Sequence, residues 1–114
     1  NISNPKQTWS GGSGKVYEYE IFPINIEFNP NQNGNYIFAK QTQTGWNTVY
    51  IGDGDIKART ESHKNNGCVT RKGATHVHTH INGSEVSKKQ EESDLLARHI
   101  EAYEPTGCNV KIGG

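Results

Sequence analysis

Residues 34–59, GNYIFAKQTQTGWNTVYIGDGDIKAR, decide the fold of this chain. The runs Asn35 to Lys40 and Trp46 to Gly52 are rich in Tyr, Phe, Ile, Val and Trp. Between them, Gln41-Thr-Gln-Thr-Gly45 is polar and places a glycine where a hairpin loop needs one, so the pattern predicts two antiparallel strands. With the loop centred on Gln43, Tyr36 falls opposite Tyr50 as a cross-strand pair. Alternation with period two sets Tyr36, Phe38, Tyr50, Thr48 and Trp46 on one face and Ile37, Val49 and Ile51 on the other. Asp53-Gly-Asp-Ile-Lys-Ala-Arg59 then reads as a turn with an Asp cap opening a helix, on which Ile56, Arg59, Thr60 and His63 share a face. Asn65-Asn-Gly67 closes that helix.

Beyond it, Gly73 to Ile81 alternates again and reads as a third strand, with His76, His78 and His80 on one side. Alternate histidines on a strand are a spacing used by zinc sites. Asn82-Gly-Ser84-Glu85 offers cap residues for a second helix, with Ser87-Lys-Lys-Gln90 competing for the same task, and the helix is expected to run to Tyr103. On it Leu95, Leu96, Ile100 and Tyr103 form an apolar stripe, with Glu92 at its centre and Glu91 toward its edge. A carboxylate in the middle of a core stripe is costly without a partner, which makes Glu92 a candidate functional residue.

On the N-terminal side, Asn1 to Gly14 is polar. Ser10-Gly-Gly-Ser-Gly14 reads as flexible linker, with Trp9 alone docking on the domain. Lys15 to Phe22 alternates as a strand, and Ile24 to Phe28 reads as a shorter extended piece between Pro23 and Pro30. The expected organisation is a linker and β extension over residues 1–33 and a main domain over 34–114. The expected fold is α+β: a small three-stranded antiparallel sheet flanked by helices, with the N-terminal β extension beside it.

With 114 residues and 31% hydrophobic content, the chain is expected to bury a single thin core. Its twelve Lys and Arg cancel its twelve Asp and Glu, so any affinity for a polyanion must come from a local patch. Lys57, Arg59, Lys64, Arg71 and Lys72 form such a cluster from the first helix into the following loop. Cys68 and Cys108 have neither CxxC nor Cys/His metal spacing; they read as free thiols in a reducing compartment, with a single disulfide as the alternative. No apolar run is long enough to span a membrane and no signal peptide pattern is visible. The start at Asn1 reads as trimmed, and the expectation is a cytoplasmic protein without a membrane partner.

The ordered set Gly34-Asn35-Tyr36, Tyr50-Ile51-Gly52, Arg59, Glu92-Ser-Asp-Leu-Leu96 and Pro105 with Asn109 resembles the GIY-YIG nuclease family, over residues 34–109. Asn35 stands where that family mostly carries an aliphatic residue. The resemblance implies a metal-dependent endonuclease that hydrolyses DNA phosphodiester bonds, or the catalytic module of one. It implies Mg²⁺ or Mn²⁺ on Glu92, and a catalytic set of Tyr36, Tyr50, Arg59, His63, Glu92 and Asn109. Within it, Arg59 pairs with phosphate and His63 assists proton transfer or binds phosphate. Tyr36 deprotonates or positions the attacking water, and Tyr50 orients water or phosphate. Because a tyrosine ordinarily titrates at about 10, such a base needs a nearby cation to lower it. DNA would lie on Lys57, Lys64, Arg71 and Lys72. Two other classes remain: a non-catalytic nucleic-acid-binding module, and a metal-binding protein or metalloenzyme that uses the His76, His78 and His80 strand.

Overall fold

The hairpin forms as β3 (Asn33–Gln41) and β4 (Trp46–Asp55), in a computed structural model that describes residues 5–110. Its register differs from the expected one, because Tyr36 lies opposite Gly52 and Phe38 opposite Tyr50. Pairing then shifts between Phe38 and Ala39, leaving Val49 as the extra residue of a β-bulge. A bulge reverses the facing of everything beyond it. Val49 therefore joins the Tyr36 and Phe38 cluster, while Trp46 packs with Ile37 and Ile51. The tyrosines remain together all the same, as diagonal neighbours stacked with ring centroids 6.1 Å apart.

The sheet is larger than the expected three strands. β1 (Lys6–Ser10) and β2 (Val16–Pro23) form an N-terminal hairpin, and β5 (His76–Ile81) lies between β2 and β3, giving a five-stranded antiparallel half-barrel of order β1-β2-β5-β3-β4. The three-stranded expectation fails because Lys6–Ser10 is an edge strand held by backbone pairing, with Trp9 as its one buried side chain. The Ser10–Gly14 stretch is a tight turn, not a linker. The Ser13 backbone N–H and hydroxyl donate to Asp94 at 2.8 and 2.7 Å, and the Tyr17 hydroxyl donates to the same carboxylate at 2.8 Å. Ile24 to Phe28 forms no strand; it is a turn and loop whose Phe28 is buried.

Each face of the sheet carries its own apolar cluster, so the single expected core is two. Tyr36, Phe38, Val49 and Val77 pack beneath α1 (Ile56–Asn66) and the short α2 (Cys68–Arg71), through Ile56 and Val69. Trp9, Tyr19, Ile37 and Ile51 pack on the opposite face under α3 (Glu85–Arg98) and a 3-10 turn (Ile100–Ala102), through Leu95 and Ala102. α1 starts on Asp55, whose side chain accepts from the Ala58 N–H at 3.0 Å, and ends at Gly67 in the left-handed region. α3 is capped by Ser84, not Ser87.

α3 corrects the expected stripe. The helix stops at Arg98 and Ile100 is 70% exposed, so the phase drawn through Ile100 and Tyr103 used residues outside the helix. The buried line is Lys88, Glu91 and Leu95. Glu91, and not Glu92, faces the core, where the Tyr19 hydroxyl donates to it and His80 Nδ1 lies 2.9 Å from it. Glu92 sits half-buried at the helix border.

The histidine strand is committed to packing. His78 is fully buried, and its Nδ1 accepts from Trp9 Nε1 at 3.0 Å. His76 meets Trp46 edge-on, and His80 is taken up by Glu91. Among the described residues no three His, Cys, Asp or Glu side chains converge on a point where they could hold a metal. Burial, with a smaller contribution from His76, lowers the His78 pKa to about 4. Protonation would also place a proton on the nitrogen that already accepts from Trp9. With the folded pKa below the unfolded value, the unfolded chain binds more protons between them. This stability is therefore fully present above about pH 6.5 and is lost as the pH falls toward 4, by about 3 kcal/mol. NMR titration of the His78 ring should give a midpoint near 4; a midpoint near 6.5 would contradict this account of the Trp9–His78 contact.

Candidate active site

The outer edge of β4 is where chemistry-bearing side chains collect. β4 is a terminal strand of the sheet, with α1 and α2 on one side and α3 on the other. A cleft of about 640 Å³ runs along it, and Tyr50, His63, Arg71, Glu92 and Asn109 are among its lining residues. These come from the consecutive β4, α1 and α2 and, far along the chain, from α3 and the C-terminal loop.

Gly52 sets the position of the tyrosines. A Cβ there would lie 2.5 Å from the Tyr36 hydroxyl and 2.8 Å from the Tyr50 ring, so any other residue displaces both rings. Tyr36 itself is wholly buried and its hydroxyl lies 3.0 Å from His63 Nε2. Tyr50 is half-buried, faces the cleft, and packs on His63 with centroids 4.1 Å apart. Arg59 is exposed; its stem lies on Gly54 and its guanidinium beside the Tyr36 and Tyr50 hydroxyls.

Burial, then the neighbouring Tyr50, push the Tyr36 phenol up, and Arg59 only partly offsets them. Tyr50 is likewise raised, by burial first and Glu92 second. The nearby cation thus does not make either tyrosine an easy base. His63 moves the other way, lowered by burial and by Arg59, and so is neutral at pH 7. A buried phenol needs an acceptor for its proton, and the neutral His63 Nε2 supplies one, which fixes the remaining proton on Nδ1.

Glu92 is raised, by burial first and by the charge of Asp53 second, with Lys89 and Arg59 opposing. Its carboxylate is short of positive charge. Asp53, absent from the candidates drawn from sequence, is the second carboxylate here: its Oδ1 pairs with Lys89 Nζ at 3.1 Å. Its sequence signal was the position directly after Gly52, hidden because Asp53 reads naturally as part of a turn.

Asn109 has a structural task. Its side-chain oxygen accepts from the Ile51 N–H and its amide donates to the Ile51 carbonyl, both at 2.9 Å. The pair extends the β4 ladder onto the C-terminal loop, which also bonds through Cys108 N–H to the Val49 carbonyl at 2.8 Å. Cys68 and Cys108 are joined in a disulfide that closes the cleft wall, which corrects the free-thiol expectation. Separation by forty residues says nothing about pairing until the fold brings the α2 start to that loop.

The basic cluster is mostly spent on the protein itself. Lys64 donates to the carbonyls of Ile24 and Ile26 at 3.2 and 3.3 Å, and Lys72 to that of Pro105 at 2.6 Å. Lys57 pairs with Glu61 at 3.0 Å. Arg71 is the member of the set that lines the cleft. No helix among the described residues is long and apolar enough to cross a membrane. Comparisons with protein-family models, curated proteins and solved structures find no match for this chain.

Proposed function

We propose that this chain is a metal-dependent endonuclease of the GIY-YIG type, hydrolysing DNA phosphodiester bonds, or the catalytic module of one. The observation that carries the proposal is the meeting of Tyr50, His63 and Glu92 in one cleft, with Tyr36 and Arg59 directly behind. A non-catalytic binding module has no need of a half-buried carboxylate facing two tyrosines. On the histidine strand Trp9 takes Nδ1 of His78, Glu91 takes Nδ1 of His80, and no three His, Cys, Asp or Glu side chains among the described residues converge there to hold a metal.

The residues present fit a hard divalent cation. Glu92 is a desolvated carboxylate facing a cleft, and Asp53 has a buried oxygen, Oδ2, without a hydrogen-bond partner among the described residues. Mg²⁺ and Mn²⁺ are commonly held by one or two carboxylates with water and phosphate oxygens completing the shell. Such an ion, when bound at Glu92, supplies charge stabilisation to the phosphate.

The other roles belong to the chain's own side chains. Arg59 presents a planar fork to phosphate oxygens, and Arg71 adds a second cation on the cleft wall. His63, neutral and oriented through Nε2 by Tyr36, lines the cleft and keeps its Nδ1–H to hold a phosphate oxygen. Tyr50 orients the attacking water. Tyr36, buried and difficult to ionise, acts through His63 as a positioning residue. Tyr50 thus keeps the role expected for it, whereas Tyr36 gives up the expected role of base for one of positioning.

The deciding experiment is incubation with supercoiled plasmid, with and without Mg²⁺. Nicking that requires the ion supports the reading, and no nicking under any divalent condition rejects it. Arg59→Ala should slow nicking by about a hundredfold, because losing a charge-assisted donor to the transition state costs about 3 kcal/mol. Lysine at this position should restore the rate only in part, having the charge without the fork. Unchanged rates in Arg59→Ala would remove that residue from the site.

A further inference from the structure

Asp53 and Asn35 face each other across β4 and β3. The Asp53 side chain is 6% exposed, and Asn35 is fully buried. Both lean toward α3, since Asp53 Oδ1 meets Lys89 Nζ at 3.1 Å and the Asn35 amide donates to the Lys88 carbonyl at 2.9 Å. Each retains a buried oxygen with no hydrogen-bond partner among the described residues, Oδ2 of Asp53 and Oδ1 of Asn35. Directly opposed residues hold their Cβ atoms about 5 Å apart, so the two oxygens share one small region. Buried acceptors are nearly always satisfied, and two lacking donors at one cross-strand pair call for a positively charged or donating ligand. Glu92 lies one turn along α3 from Lys89, and the Asp53 charge reaches it.

We propose that Asp53 is the second carboxylate of a divalent-cation site whose first is Glu92, with Asn35 Oδ1 as a neutral oxygen beside it, and that Lys89 is the internal counter-ion holding Asp53 until the cation enters. The proposal rests on the reading of Glu92 as the carboxylate that faces the metal. Three oxygens of this kind suit a hard ion and leave room for water and phosphate. Lys89 suits the counter-ion role because its side chain is 63% exposed and free to swing into solvent.

The test is Mn²⁺ binding to the full chain, followed by the electron paramagnetic resonance signal of the free ion, with circular dichroism melts as the check on folding. Wild type is compared with Glu92→Gln, Asp53→Asn and Lys89→Met. Asp53→Asn and Glu92→Gln should each weaken binding by about tenfold or more, whereas Lys89→Met should tighten it. Asp53→Asn binding Mn²⁺ as wild type does would overturn the proposal and assign the oxygens to a buried water. If Glu92→Gln still loses the ion in that case, the nuclease reading stands. Should Asp53→Asn fail to fold, Lys89→Met at the exposed position decides, and weaker or unchanged binding there overturns the proposal. Binding in the expected pattern without plasmid nicking supports the site and rejects the nuclease reading. Failure of wild type to bind Mn²⁺ at millimolar concentration overturns both.

Discussion

Glu92→Gln should reduce Mg²⁺-dependent nicking by about a thousandfold or more, a loss of about 4 kcal/mol of transition-state stabilisation. Gln preserves the volume and removes the charge that would hold a cation. The same change should leave the fold as stable as wild type, or more so, in metal-free buffer at neutral pH. The reason is the sign of the Glu92 shift, which burial and then Asp53 move upward. A carboxyl whose folded pKa lies above its unfolded value disfavours the folded state at pH values above both, and that penalty disappears as the pH falls through the folded pKa. The stability gain in Glu92→Gln should accordingly be largest near neutrality and fade on acidification. A structural role makes the opposite prediction, because breaking a buried pair with a cation costs about 3 to 5 kcal/mol. Thermal melts in EDTA and nicking in Mg²⁺, on the same two proteins, separate the cases. Normal nicking, or a strongly lowered melting temperature without metal, would sink the assignment.

How much of this was legible in the sequence depends on the range over which each signal acts. The β3–β4 hairpin, the Asp55 cap and the Gly67 stop are local, and each is written in a few adjacent residues. The bulge at Val49 is not, since it depends on what packs on each face of the finished sheet. The loop closes on Gln41 and Trp46, one residue off the expected register, and the bulge adds a second; a shift of two at Tyr36 preserves the face, so the Tyr36–Tyr50 stack was reached despite a wrong partner assignment. In α3 the error lay in helix length. Carrying the 3.6-residue period past Arg98 drew Ile100 into the stripe and exchanged the places of Glu91 and Glu92. β1 has no apolar alternation to detect, because its outward side chains are polar and only Trp9 turns fully inward. The β2 strand was legible from its alternation, but its place in the sheet was not: β5 is a central strand, buried on both faces, with two edges to satisfy, and β2 takes one of them.

The charges of the cleft show the same dependence on tertiary structure. From sequence, Lys57, Lys64, Arg71 and Lys72 form one basic run. In the fold, Lys64 and Lys72 close loops onto carbonyls and Lys57 pairs with Glu61, which leaves Arg71 on the cleft wall and Arg59 beside the tyrosines as the cations placed to meet a ligand. Nothing in a linear run of cations distinguishes those that face a ligand from those that bind the backbone.

Reduction of the Cys68–Cys108 disulfide should lower stability by about 4 kcal/mol, the loop-closure entropy of a cross-link spanning forty residues. In a domain of this size the melting temperature should fall by roughly 20 °C. The free thiols expected from sequence were the ground for placing the chain in a reducing compartment, and the disulfide removes that ground. Its position ties stability to the site. Cys68 opens α2 directly after the left-handed Gly67, and Cys108 precedes Asn109, whose side chain holds the Ile51 backbone beside Tyr50. Reduction therefore loosens the loop that carries one wall of the cleft, while the Asn109 side chain and the Cys108 N–H still hold it to β4. A folded but less stable protein is expected, not an unfolded one, and nicking at 25 °C should weaken less than the melt does. Ser at both positions should reproduce the reduced protein and make the melt insensitive to dithiothreitol. Coincident melts for oxidised and reduced wild type, or alkylation of two thiols in the unreduced chain, would refute the cross-link.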